Sequence, residues 1–105
     1  MRKLSFQELK LRQAEKAKSR LPFTVVLNNV RSLYNVGSIF RTADGAGVEK
    51  IWLCGITGYP PEHKISKTAL GAEDTVPWEH CKDVIPVLED LKGKGYKIVF
   101  LEQKK

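Results

Sequence analysis

Apolar positions along the chain change period several times, and each change marks an element. Phe23-Thr-Val-Val-Leu27 is a continuous, β-branched run, the pattern of a strand covered on both faces. It predicts a strand from Phe23 to Asn28. From Asn35 the period becomes helical, with Val36, Ile39, Phe40 and Ala43 at i, i+3, i+4 and i+7. Gly45 and Gly47 then offer the left-handed position that ends a helix. Lys50-Ile-Trp-Leu-Cys54 is the next strand, completing a strand–helix–strand unit of the parallel kind. Gly55 to Glu62 reads as a loop, signalled by Gly58 and Pro60-Pro61.

The remainder alternates in the same way. His63 to Leu70 fits a short helix, and Thr75-Val-Pro-Trp78 a short strand that Pro77 demotes to a sheet edge. Asp83 can cap a helix with Val84, Val87, Leu88 and Leu91 as its buried stripe; Pro86 is tolerable in the first turn. Gly93 and Gly95 close that helix before a last strand, Tyr96 to Leu101. At the amino end, Ser5-Phe-Gln-Glu8 has the form of a capping box and predicts a helix over Phe6–Ser19. Its stripe of Leu9, Ala14 and Ala17 is thin, as in a loosely docked helix or an interaction arm. Leu21-Pro22 breaks it. The whole predicts an α/β fold, a largely parallel sheet with flanking helices, divided into a basic helix over 1–21 and a domain over 22–105. The chain stops four residues after a strong apolar strand, so the sheet reads as the first part of a larger domain.

Composition adds limits. With 105 residues, 42% hydrophobic and 29% charged, the chain fits one globular domain rather than a disordered segment. No run is long enough to span a bilayer and the amino end has no signal-peptide core, which predicts a cytoplasmic protein without membrane contact. Cys54 and Cys81 lack C-x-x-C spacing, and His63 and His80 lack zinc-ligand spacing. A reduced, buried Cys54 and no metal are expected. The net charge is +6, yet residues 1–20 hold seven Lys/Arg against two Glu, while residues 21–105 hold eleven against ten. The basic character is therefore local. Lys10, Arg12, Lys16 and Arg20 form an arm suited to a polyanion, most simply nucleic-acid phosphates, or else a solvated helix face.

The stretch Asn29 to Gly47 concentrates residues that core packing does not ask for. On a helix starting near Asn35, a side chain leans back over the preceding turn, so Arg41 would extend over Gly37 toward the helix start beside Asn35. Free amides and the helix dipole there favour an anion. A planar five-donor cation beside an amide side chain suits phosphate or a ribose edge. The same residues admit a plainer reading, with Asn35 an N-cap and Arg41 paired to Asp44 at i, i+3. The chain has no G-x-G-x-x-G and no G-x-x-x-x-G-K-[ST] loop. It suggests no Ser-His-Asp or Cys-His arrangement.

Asn35-x-Gly37, Arg41-Thr-Ala and the glycine closing the helix resemble the first motif of the SpoU (TrmH-like) RNA ribose methyltransferases, of the knotted SPOUT class. The resemblance continues through Ile51-Trp-Leu-Cys-Gly-Ile-Thr-Gly-Tyr-Pro-Pro, Lys67-Thr-Ala-Leu-Gly71-Ala-Glu, Val76-Pro-Trp and Leu101-Glu-Gln, over about residues 22 to 103. It implies methyl transfer from S-adenosylmethionine to a ribose 2′-hydroxyl of tRNA or rRNA, by an enzyme that is usually a dimer. Arg41 would be the catalytic arginine and Asn35 its neighbour. Asn29, Gly37, Lys67 and Thr68 would lie toward the RNA, and Leu101, Glu102 and Gln103 toward the cofactor. The family's G-x-E-x-x-G-type and Ser-Leu-Asn motifs, which carry most of the cofactor site, the knot and much of the dimer contact, occur nowhere in the chain. The resemblance thus implies an incomplete SPOUT domain that is inactive alone and binds the cofactor very weakly or not at all. A noncatalytic RNA-binding module needing a partner is the alternative, and a small nucleotide-binding α/β protein the third reading.

Overall fold

The computed structural model describes residues 21–103. The expected amino-terminal helix, with Lys10, Arg12, Lys16 and Arg20, lies outside the described residues. The elements are β1 (Leu21–Asn28), α1 (Leu33–Ala46), β2 (Val48–Cys54), α2 (His63–Ala69), a 3-10 turn (Ala72–Asp74), β3 (Trp78–Cys81), α3 (Val84–Gly93) and β4 (Lys97–Glu102). Every strand pairing is parallel, in the order β3-β2-β1-β4. This is the α/β architecture that the alternating periods predict. Among the described residues no helix is long and apolar enough to cross a membrane.

Side chains alternate across the sheet as a pleat requires. Val25 and Leu27 of β1, with Ile51 and Leu53 of β2, face a core completed by Val36, Phe40 and Ala43 of α1 and Ile65 and Ala69 of α2. Val26 and Cys54 face the opposite side, under Val87 and Leu91 of α3. Covering both faces explains why β1 is apolar without alternation. The Cys54 thiol is fully buried and free. Burial, then the charges of Cys81 and Asp83 beside it, push its pKa up to about 11, so it stays protonated at neutral pH.

Several boundaries differ from expectation. α1 starts at Leu33, not near Asn35, because the Ser32 hydroxyl accepts the Asn35 N–H at 3.1 Å and caps the helix. Leu33 lies three residues ahead of Val36, so the apolar stripe had one more turn than the pattern from Val36 shows. The end of α1 is as expected: Gly47 takes φ +74° and its N–H reaches the Ala43 and Asp44 carbonyls. β3 runs over Trp78–Cys81 rather than Thr75–Trp78, which leaves Pro77 outside the strand. It is an edge strand, as Pro77 implied. Asp83 caps α3 through the Ile85 N–H at 3.0 Å, and Pro86 sits in the first turn.

Candidate functional site

The carboxyl ends of β1, β2 and β4 meet at the segment Asn28–Ser32. Asn29 adopts a left-handed backbone, φ +57°, which asparagine tolerates better than most residues. Its N–H donates to the Cys54 carbonyl at 3.2 Å, and its Oδ1 accepts the Ile56 N–H at 3.2 Å. Gly55 makes this approach possible, since a Cβ there would sit 2.2 Å from Asn29 Oδ1. Thr57, fully buried, accepts the Val30 N–H at 3.0 Å and donates to the Leu27 carbonyl at 3.4 Å. From the other side, Asn28 Nδ2 donates to Glu102 Oε2 at 2.7 Å, and the Arg31 N–H donates to Gln103 Oε1 at 2.7 Å. The entry to α1 is therefore held from both neighbouring strands.

This geometry recasts several predicted site residues. Asn29 engages its carbonyl oxygen in holding the β2–α2 loop. Glu102 and Gln103 engage side-chain oxygens in a clasp on the β1–α1 segment. Gly37 does not clear a path for Arg41. The space over it is filled by α2, where a Cβ would lie 1.9 Å from Thr68 Oγ1 and 2.3 Å from the Ile65 carbonyl oxygen. The Thr68 hydroxyl donates to the Tyr34 carbonyl at 2.9 Å and ties α2 to the first turn of α1. Neither the N-cap role for Asn35 nor the Arg41–Asp44 pair is formed. Ser32 is the cap, and Arg41 makes no ion pair or side-chain hydrogen bond among the described residues.

Among the described residues, two of the depressions beside α1 hold candidate polar groups. One, of about 510 Å³ and open to solvent, is lined by Arg41, Lys67, Thr68, Ser38, Thr42 and Leu70. Its lining holds two cations and hydroxyl side chains, with no carboxylate. The other, of about 400 Å³, joins Asn35 to Leu101, Glu102 and Gln103, with Val30 and Ile39 as its apolar wall. Ser38 borders both. Arg41 thus shares a depression with Lys67 and Thr68, and Asn35 shares one with the end of β4, Ser38 lying between them. Sequence reasoning missed Ser38, Thr42, Arg31 and Thr57. Ser38 and Thr42 carry a faint signal, one turn apart on the polar flank of the apolar stripe. Thr57 had none, because its partners come from another strand.

The sequence pattern of the SpoU rRNA methylase family matches residues 22–105. The chain belongs to that family. It is 35% identical over 83 residues to the 23S rRNA (guanosine-2′-O-)-methyltransferase RlmB of Shewanella oneidensis, an alignment covering 79% of this chain and 34% of that protein. It is 30% identical over 88 residues to a putative TrmH family tRNA/rRNA methyltransferase of Staphylococcus saprophyticus, covering 84% and 35%. The chain therefore spans about a third of the length of these relatives. In fold it resembles the crystal structure of the A. aeolicus TrmH/SpoU tRNA modifying enzyme, with a TM-score of 0.74 at 16% identity over 91% of this chain and 61% of that one. Both the expected SpoU resemblance and the parallel α/β fold are thereby confirmed. The matched range takes in both depressions beside α1.

Proposed function

We propose that this chain supplies the RNA-facing part of an S-adenosylmethionine-dependent 2′-O-ribose methyltransferase acting on tRNA or rRNA, cytoplasmic and dimeric in its complete form. The carrying observation is the convergence of Arg41 and Lys67, with the Ser38 and Thr42 hydroxyls, on one open depression without a carboxylate. Fixed cations beside hydroxyl side chains suit a ribose–phosphate edge. An arginine side chain keeps its proton, so Arg41 orients the ribose and its phosphate and stabilises negative charge developing on the 2′-oxygen. Lys67 adds a point charge for an adjacent phosphate. The basic segment of Lys10, Arg12, Lys16 and Arg20 extends phosphate contact along the RNA.

S-adenosylmethionine, when bound, supplies the methyl group. The described residues fit it only in part. The depression at Asn35 and Leu101 offers an apolar wall, but Glu102 and Gln103 already engage side-chain oxygens with Asn28 and Arg31. They would hold the floor of such a site rather than enclose a ligand, and the 105-residue chain alone is inactive in methyl transfer. That clasp also favours the second reading, an RNA-binding module whose partner completes the site.

Replacing Arg41 with Ala tests the reading. RNA affinity of the chain should fall, and the slope of log K against log salt should shrink by about one unit. In the protein carrying the rest of the family's domain, the same change should abolish methyl transfer and leave cofactor affinity nearly intact. An unchanged RNA affinity and salt slope would refute Arg41 as a phosphate contact. Retained methyl transfer would refute its part in the reaction.

A further inference from the structure

The β2–α2 loop is pinned from beneath yet turns apolar side chains to solvent. The Gly55 N–H donates to the Cys81 carbonyl at 2.9 Å, and Asn29 and Thr57 hold the next two residues as described above. Gly58 lies so close to α1 that a Cβ would sit 2.3 Å from Leu33 Cδ2. On this base Ile56 is 59% and Tyr59 47% exposed. The Tyr59 ring is 4.2 Å from the His80 ring and 6.0 Å from that of Trp78. His80 Nε2 lies 3.4 Å from the Gly55 carbonyl and donates to it, which orients the imidazole. Trp78 packs against the core on the α1–α2 side of the sheet. His80, two residues on in the same strand, faces the same way.

This aromatic shelf therefore shares a face of the sheet with the Arg41–Lys67 depression, and α2 joins them. His63, Lys64 and Lys67 are exposed on α2, and none of its seven residues is acidic. A cation-lined depression, a basic helix and a backed aromatic ring match a ligand that is both polyanionic and planar. An unpaired RNA strand has both properties, and its bases stack on aromatic rings with little regard to sequence. We propose that Tyr59, backed by His80 and Trp78, stacks one unpaired nucleobase of the RNA whose phosphate is held at Arg41 and Lys67. This rests on the RNA reading of the depression and adds base contact to backbone contact.

The test uses the 105-residue chain with two labelled probes of equal length, a single-stranded RNA decamer and the same ribose–phosphate chain without bases. Wild type should bind the base-bearing probe more tightly. Tyr59→Ala should lose about tenfold on that probe and nothing on the abasic one, while Tyr59→Phe keeps wild-type affinity. Circular dichroism checks that each variant is folded. Arg41→Ala should weaken both probes. If Arg41→Ala does so but Tyr59→Ala binds the decamer as wild type does, the stacking site is overturned and the phosphate site stands. Equal weakening of both probes by Tyr59→Ala, or loss of self-association in sedimentation with RNA binding unchanged, also overturns it; the latter makes the shelf a protein interface. If wild type binds neither probe, the RNA reading fails and the stacking site with it.

Discussion

The two flanks of α1 are built on opposite plans. Toward α2 the helices touch backbone to side chain. Gly37 has no side chain, Thr68 fills the space, and its hydroxyl closes on the Tyr34 carbonyl. Toward β4 no helix among the described residues is packed, and Phe23, Ile39, Ala43, Val99 and Leu101 line an apolar groove of about 300 Å³. What fixes that second flank is polar and lies at its end, where Glu102 and Gln103 clasp the entry to α1. The difference teaches where each kind of chemistry can sit. The closed flank sets Arg41 and Lys67 on a frame that cannot slide, which a directional phosphate contact needs. The open flank offers apolar surface, useful to a ligand or chain segment that contributes its own shape.

Gly37→Ala should strike the closed flank hardest. The added methyl meets the Ile65 carbonyl oxygen, which belongs to the backbone and cannot rotate away. So close a contact falls at the upper end of the roughly 1–3 kcal/mol that overpacking costs, against the roughly 0.5–1 kcal/mol a helix gains from Gly to Ala. Urea unfolding should show a net loss of about 2 kcal/mol, and a gain in stability would mean the helices are not in this contact. On the open flank the largest loss should come from Glu102→Leu. It strips the acceptor from the buried Asn28 amide, a loss of about 1–3 kcal/mol. Were thermal unfolding to leave this variant level with wild type, the clasp would not be holding the sheet end. Thr68→Val keeps the shape against Gly37 and removes the hydroxyl that donates to the Tyr34 carbonyl at 2.9 Å and to the Ile65 carbonyl at 3.4 Å. About 1 kcal/mol should be lost, together with weaker RNA binding if the bond to Tyr34 fixes Lys67. Equal stability alongside unchanged RNA affinity would assign the rigidity to Gly37 packing alone.

Much of this was legible along the chain, because it depends on local chemistry. The runs Phe23–Leu27 and Lys50–Cys54 announce covered strands, and Gly47 marks the end of α1. Asp83 announces the start of α3. Arg41 could be singled out, since it serves no core, whereas Lys67 was marked only by the family resemblance. The start of α1 was misplaced because Asn35 competes with Ser32 as a cap, and only the fold chooses between two good caps three residues apart. Gly37 was misassigned for a deeper reason. A glycine in a helix says that something comes close, but not whether it is a ligand, a neighbouring side chain or another backbone.

The sequence by itself therefore determined the order and type of the elements, the parallel sheet, the family, and which cations stand apart from the core. These follow from periodicity and residue chemistry within a few turns of chain. The tertiary structure alone decided that Arg41 shares a depression with Lys67. It also decided that Asn29, Glu102 and Gln103 brace the entry to α1, and that Tyr59 lies over His80. Each of these pairings closes more than 20 residues of chain across strands or helices, from Tyr59 with His80 to Asn28 with Glu102. The closure is set by sheet register and helix docking, which depend on all the packed surfaces at once and leave no local mark.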